Sequence, residues 1–142
     1  MVTDTRTLSV SRSIAAPPEA VFDAWLDPKT AARFLFATPT GEMVKAEIDA
    51  RVGGKFVFVD RRPDMGDVEH VGEYLEIDRP RRLVFTFGVP QYAKEMTTVT
   101  VEITPKGSGC ELVLTHAGVF PEMREQTTQG WGMILEGLAK AV

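Results

Sequence analysis

Two histidines and one cysteine are the side chains of this sequence best suited to acid–base or metal chemistry. His70 and His116 lie far apart along the chain, and Cys110 is the single cysteine. Metal sites usually draw several ligands from short motifs, so this spacing predicts no metal site. Gly53-Gly54 lies between two predicted strands rather than before a helix, which predicts a tight turn and no phosphate-binding loop. We therefore expect no cofactor.

His116 follows a segment in which apolar and polar residues alternate. It shares the phase of Leu112 and Leu114, which indicates the inner face of a strand. A neutral imidazole there can exchange a hydrogen bond with a ligand or serve as a general base near neutral pH. Alternatively, it closes the end of the sheet through a hydrogen bond to a backbone carbonyl near Ala117-Gly118.

Arg12 is a charged residue on an apolar strand face, between Val10 and Ile14. A guanidinium in the interior needs a carboxylate or several carbonyl groups. Its planar fork could anchor the anionic group of a ligand. The alternatives are an internal ion pair with Glu73 or Glu47, or an edge arginine whose stem packs while its head reaches water.

A set of large apolar side chains falls on the inner faces of the predicted strands and of the last helix. Such residues either line a small-molecule pocket or fill a core, and periodicity does not distinguish the two. Gly130, Gly132 and Gly137 each cost about 1 kcal/mol in a helix relative to alanine, so they either bring the helix close to the sheet or leave space behind it. No residue is assigned a catalytic role. The candidate ligand-binding residues are Arg12, Phe56, Phe58, Phe85, Phe87, Met96, Val99, Val101, His116, Trp131 and Met133.

The period of the apolar residues divides the chain into strands and helices. A strand at residues 8–14 precedes two short helices that end near residue 35, and alternation with a period of two then runs from residue 43 to residue 116. The polar segment 61–67 is predicted to connect two of these strands. Helical spacing returns from about residue 121 to residue 142. We predict an α+β fold in which a curved antiparallel sheet of six to seven strands wraps on a long C-terminal helix.

Length and charge limit the remaining classes of protein. The chain has 142 residues and a mass of 15.7 kDa, which predicts one domain over residues 1–142. With 16 basic and 20 acidic residues the net charge is −4, so we expect no nucleic-acid partner. The single cysteine, the lack of a signal peptide and the lack of an apolar run of about 20 residues predict a cytoplasmic protein without a membrane partner.

Several motifs resemble one protein family. Residues 15–28, AAPPEAVFDAWLDP, resemble the opening motif of proteins similar to the activator of heat shock protein 90 ATPase, in the START-like superfamily (SRPBCC, polyketide cyclases and the birch-pollen allergen fold). Residues 53–56 resemble the family's double-glycine turn, residues 72–77 and 80–86 its central hairpin, and Gly130-Trp131 the start of its final helix. The resemblance implies a helix-grip fold with an apolar cavity. Where such proteins often carry tryptophans in the second short helix, this chain has Phe34-Leu35-Phe36.

Three functions are compatible with these features. The resemblance and the inward aromatic residues favour a non-catalytic domain that binds a small hydrophobic molecule, such as a lipid, polyketide or isoprenoid, between the sheet and the C-terminal helix. The second is a cyclase or dehydratase that uses His116, although no paired carboxylates or nucleophile–base pair is recognised. The third is a cochaperone-like interaction module, against which the lack of a second, partner-contacting domain argues. A homodimer is compatible with all three.

Overall fold

The alternating segments of the sequence form a seven-stranded antiparallel sheet. The computed structural model describes residues 7–35, 41–64, 66–90 and 96–142. The sheet order is β1-β7-β6-β5-β4-β3-β2, so the first and second strands of the chain form its two edges. The strands are β1 (Thr7–Ile14), β2 (Glu42–Ile48), β3 (Lys55–Arg62), β4 (Gly66–Asp78), β5 (Arg82–Phe87), β6 (Thr97–Lys106) and β7 (Gly109–Ala117).

Three α-helices lie in the described part of the chain, at α1 (Pro18–Leu26), α2 (Pro28–Phe34) and α3 (Arg124–Ala141), the last preceded by a single 3-10 turn. Proline occupies the first turn of α1 and of α2, where its missing N–H leaves no helical hydrogen bond unmade. Asp27 separates the two helices and caps α2, because its carboxylate accepts hydrogen bonds from Lys29 N at 3.2 Å and Thr30 Oγ1 at 2.8 Å. The predicted pair of short helices is confirmed.

The inner face of the sheet packs against α1, α2 and one side of α3. The buried residues of α3 include Trp131, Leu135 and Leu138, which follow the helical period. Their burial against the sheet supplies the main stabilisation of α3, since a sequence with three glycines is a poor helix former in isolation. The result is the predicted α+β helix-grip fold.

The aromatic and β-branched residues at the centre of the sheet form a filled core. Phe56 meets Phe85 edge to face at a centroid distance of 5.4 Å, and Trp25 of α1 contacts the same Phe85 ring at 6.4 Å. The side chains of Phe58 and Val99 are fully buried in the same cluster. Edge-to-face contacts of this kind add to the free energy gained by burial.

The segment 61–67 is not the simple connection that its polarity predicts. β3 continues to Arg62 and β4 begins at Gly66, and Arg61 faces Asp67 across the two strands. The Arg61 Nε atom donates to Asp67 Oδ1 at 2.8 Å. A cross-strand ion pair can replace apolar packing where a hairpin extends beyond the core, which is why alternation of apolar residues does not reveal this extension.

None of the helices in the described ranges is long and apolar enough to cross a lipid bilayer.

Candidate functional site

An open cleft of about 580 Å³ lies between α3, the end of α2 and one end of the sheet. Its floor comes from β3, β4 and β5, and one wall from successive turns of α3. The cleft is mainly apolar, with polar and cationic groups among its lining residues. The lining residues are Arg33, Phe34, Arg62, His70, Phe87, Met123, Gln126, Thr127, Gly130, Trp131, Met133, Ile134 and Gly137.

The three glycines of α3 have different surroundings. A Cβ atom on Gly137 would lie 3.1 Å from Phe34 Cβ, and one on Gly132 would lie 3.1 Å from Arg12 Nη2. A Cβ atom on Gly130, which lines the cleft, would meet no atom within 4 Å. Gly137 thus allows the close approach of α3 to α2, whereas Gly130 leaves space at the cleft. The alternative of space beside the helix thus applies to Gly130, whereas the close approach at Gly137 is to α2 rather than to the sheet.

His116 lies next to the cleft wall and is held in a chain of hydrogen bonds. Its Nδ1 atom accepts from Trp131 Nε1 at 2.9 Å, and its Nε2 atom is 2.6 Å from Thr97 Oγ1. The Thr97 hydroxyl in turn donates to the Phe87 carbonyl at 2.9 Å. Because an indole N–H can only donate and a carbonyl can only accept, His116 is the neutral tautomer with its proton on Nε2.

This network corrects two expectations about His116. Its partners are a tryptophan and a threonine side chain rather than a backbone carbonyl near Gly118, and both ring nitrogens are occupied. Burial lowers the pKa of His116 from 6.5 to about 4, because charging the ring in a poorly solvated site is costly. His116 is also absent from the lining of the cleft. It is placed to orient Trp131 and is poorly placed to act as a general base.

His70 is the histidine that reaches the cleft. Its ring stacks on Phe87 with centroids 6.0 Å apart and planes inclined by 16°. The Nδ1 atom makes a long hydrogen bond of 3.4 Å to the Phe58 carbonyl, so Nδ1 carries the proton of the neutral ring. Burial lowers the pKa of His70 to about 4, partly offset by this hydrogen bond. The stack is therefore uncharged at neutral pH.

A buried ion pair lies at the same end of the sheet. Asp60 is fully buried, and its Oδ2 atom accepts from Arg62 Nε at 2.9 Å. The Arg62 side chain is 23 % exposed and lines the cleft. A carboxylate beneath the guanidinium restricts the orientation of the arginine. Sequence reasoning missed Asp60, Arg62 and His70.

Most of the candidate ligand-binding residues lie in the core rather than at the cleft. Phe87, Trp131 and Met133 line it, although Met133 is 59 % exposed and forms part of its rim. Met96 is 46 % exposed, which corrects the expectation that it faces the interior. The buried candidates that are absent from the lining are Phe56, Phe58, Phe85, Val99, Val101 and His116.

Arg12 also lies away from the cleft. It packs beside Gly132 of α3, and its Nη2 atom is 3.8 Å from Glu136 Oε1. The side chain is 39 % exposed, and its Nη1 atom donates to the Ser11 carbonyl. Of the alternatives for Arg12, the structure shows an edge arginine with a packed stem and a solvated head. Its acidic neighbour is Glu136 rather than Glu73 or Glu47, because β1 lies at the edge that faces α3.

Over residues 7–35, 41–64, 66–90 and 96–142, no group of three or more histidine, cysteine, aspartate or glutamate side chains is arranged to hold a metal ion. Cys110 is buried, and burial raises the pKa of its thiol. The arrangement at the cleft thus offers aromatic walls, hydrogen-bond donors and guanidinium groups, which are binding groups rather than a nucleophile–base pair.

Comparison with known proteins gives a family and several solved structures of the same fold. The family model described as Activator of Hsp90 ATPase homolog 1-like protein matches residues 15–142. Protein CV1439 from Chromobacterium violaceum superposes with a TM-score of 0.87 at 28% identity, over 96% of each chain. An AHSA1-like protein from Aeromonas hydrophila gives a TM-score of 0.83 at 24% identity, over 96% of this chain and 91% of that one. No significant match was found among curated proteins.

Proposed function

We propose that this chain, which belongs to the Activator of Hsp90 ATPase homolog 1-like family, binds a small hydrophobic molecule of the lipid, polyketide or isoprenoid type in the cleft between α3 and the sheet. The observation that carries the proposal is the cleft itself. Its volume of about 580 Å³ is within the range of about 300–1,000 Å³ found for small-molecule sites. A second open groove, between β1 and α3, has a similar volume of about 620 Å³, so the aromatic lining of the cleft supports the proposal more than its volume does.

The walls of the cleft have the chemistry of such a site. Phe34, Phe87, Trp131 and Ile134 supply apolar surface from three different elements. Two of the rings are fixed in place: Phe87 and Trp131 lie 6.2 Å apart, and the Trp131 N–H is held by His116. Walls that are ordered before a ligand arrives lower the entropy cost of binding.

A catalytic role for this cleft has less support. A general base must be within hydrogen-bond reach of the substrate. His116 has both nitrogens engaged by Trp131 and Thr97 and does not line the cleft, and burial lowers the pKa of His70, which does line it, to about 4. We therefore favour binding without catalysis. A cytoplasmic location and a possible homodimer remain part of the proposal, and a chaperone partner does not.

The proposal can be tested by titrating the protein with the neutral fluorescent probe N-phenyl-1-naphthylamine. Gly130→Leu places a side chain where a Cβ atom finds open space at the cleft, and we expect it to weaken binding at least about tenfold by filling the site. Ala139→Leu is the matched control, because Ala139 is an exposed residue of α3 outside the cleft lining. Equal affinity in Gly130→Leu and wild type, or no binding at all, would refute the proposal.

A further inference from the structure

The described residues that line the cleft include two arginines and no acidic residue. Arg33 is contributed by α2 and Arg62 by β3. This is unexpected for the chain as a whole, in which 20 acidic residues outnumber 16 basic ones. Both histidine pKa values near the cleft lie far below neutrality, so the arginines supply its formal charge at neutral pH. A cleft with apolar walls and charges of one sign concentrates the field and attracts the opposite charge.

Arg62 is held in place by the protein. Its hydrogen bond to the buried Asp60 carboxylate uses Nε, and a guanidinium has four further N–H donors on its two Nη atoms. The Asp60 carboxylate offsets part of the charge of Arg62, whereas no carboxylate in the described chain lies within ion-pair distance of Arg33. The cleft lining therefore keeps a net positive charge.

Neutral hydrogen-bond donors lie at the same cleft. Gln126 and Thr127 from the first turns of α3 line it together with the arginines. An amide N–H₂ and a hydroxyl are donors that a carboxylate or sulfonate accepts readily. The aromatic part of the cleft lining is the stacked pair His70 and Phe87 with Trp131 beside it. One molecule in the cleft would thus contact both aromatic rings and cationic donors.

We propose that the ligand of this cleft is an amphipathic organic anion, whose apolar body packs against Phe87 and Trp131 and whose carboxylate or comparable group is bound by Arg33 and Arg62. This inference rests on the proposed function and narrows it. A neutral lipid or isoprenoid alcohol would fill the same volume but leave the Arg33 guanidinium without an anionic partner, since only Arg62 has a carboxylate, Asp60, beside it. Tighter binding of an anion than of a neutral molecule with the same apolar body is therefore the property that distinguishes this inference from simple apolar binding.

The experiment compares two pairs of probes that differ in charge. 8-Anilinonaphthalene-1-sulfonate and N-phenyl-1-naphthylamine share an aromatic body, and laurate and 1-dodecanol share an alkyl chain. We expect the anion of at least one pair to bind about tenfold more tightly than its neutral partner at about 20 mM salt, and the preference to shrink at about 500 mM salt through screening. The two pairs distinguish an aromatic from an alkyl body.

Variants locate the effect at the cleft. Arg33→Gln changes an exposed residue of α2 and should reduce the preference for the anion about threefold or more, while affinity for the neutral probe stays the same. Lys29→Gln, on the same helix and outside the cleft lining, is the control. Because Arg62→Gln would leave the buried Asp60 without its cation, the double variant Asp60→Asn/Arg62→Gln serves as the second test, and it keeps a neutral pair at this place.

The possible results have distinct meanings. A preference for the anions that Arg33→Gln or the double variant removes, and Lys29→Gln keeps, supports the inference. Equal binding of charged and neutral probes overturns it and leaves the proposed function intact. Failure of all four probes to bind overturns both. A preference that survives both cleft variants also overturns the inference, since the anion would then bind elsewhere.

Discussion

Replacing His116 by asparagine is expected to weaken the dependence of protein stability on pH between about pH 7 and pH 5. In the folded protein the ring is neutral, because it accepts a hydrogen bond from Trp131 and is buried. Its pKa is lowered from 6.5 to about 4. Below pH 6.5 the unfolded chain takes up a proton that the folded chain does not, so stability falls as the pH falls.

The magnitude follows from the shift in pKa. One fully linked proton changes the free energy of unfolding by about 1.4 kcal/mol per pH unit. Between pH 6.5 and pH 5 this amounts to about 2 kcal/mol for His116, and the loss levels off near pH 4, where the folded protein also takes up the proton. His70 has a pKa lowered to about 4 and contributes a loss of similar size.

The assay is urea unfolding at a series of pH values, followed by the fluorescence of the two tryptophans, both of which are buried. His116→Asn will be less stable than wild type at pH 7, so the quantity to compare is the change in unfolding free energy from pH 7 to pH 5. Carboxylates whose pKa is lowered, such as Asp23 and Asp67, also make the protein less stable as the pH falls. They do so equally in wild type and variant, so their contribution cancels in the comparison. The change should be about 2 kcal/mol smaller in the variant.

Since the chain has two histidines, the double variant His70→Asn/His116→Asn removes all histidine titration and should lose a further 2 kcal/mol or so of the pH dependence. Parallel profiles for wild type and His116→Asn would refute the reasoning, because they would mean that the folded protein protonates His116 as readily as the unfolded chain does.

The remaining stability predictions concern α3 and the buried ion pair. Gly130→Ala should raise the free energy of unfolding by about 1 kcal/mol, from helix propensity alone, whereas Gly137→Ala should gain nothing because its Cβ would lie 3.1 Å from Phe34 Cβ. Equal gains in urea unfolding would contradict this difference. Asp60→Ala should cost about 3 kcal/mol by leaving Arg62 without its buried partner, and Asp60→Asn should cost less; a loss below about 0.5 kcal/mol in Asp60→Ala would show that the pair does not stabilise the fold.

Much of the fold could be predicted because apolar residues repeat at the period of each element. Val99 and Val101 alternate with polar residues and are buried in β6 as expected, and Trp131 follows the helical period of α3. The prediction that residues 61–67 only connect two strands was wrong for a physical reason. That part of the hairpin is held by backbone pairing and by the ion pair of Arg61 with Asp67, which a search for apolar alternation does not detect.

The cleft itself could not be predicted, because an apolar side chain has the same period whether it meets another side chain or an empty space. The sequence nevertheless contains a pattern that indicates where the cleft lies. Asp60 and Arg62 continue the inner phase of Phe56 and Phe58 along β3, as His70 does along β4. Polar residues in the inner phase at a strand end indicate where packing gives way to a site. The same argument does not place Arg12 at this cleft, because Arg12 lies on the edge strand β1 and lines a separate open groove beside α3.

The position of β1 between solvent and β7 has a consequence for how the chain folds. Thr7 pairs with Ala117 and Val10 with Leu114, so each of these contacts joins residues more than 100 positions apart. Closing such a long loop costs conformational entropy, which is not offset until the distant contacts form. Folding rates therefore fall as the contacts of a fold become less local. During synthesis on the ribosome, β1 has no strand to pair with at this edge until β7 has emerged. β1 can therefore join the sheet only after the residues through β7 have been synthesised.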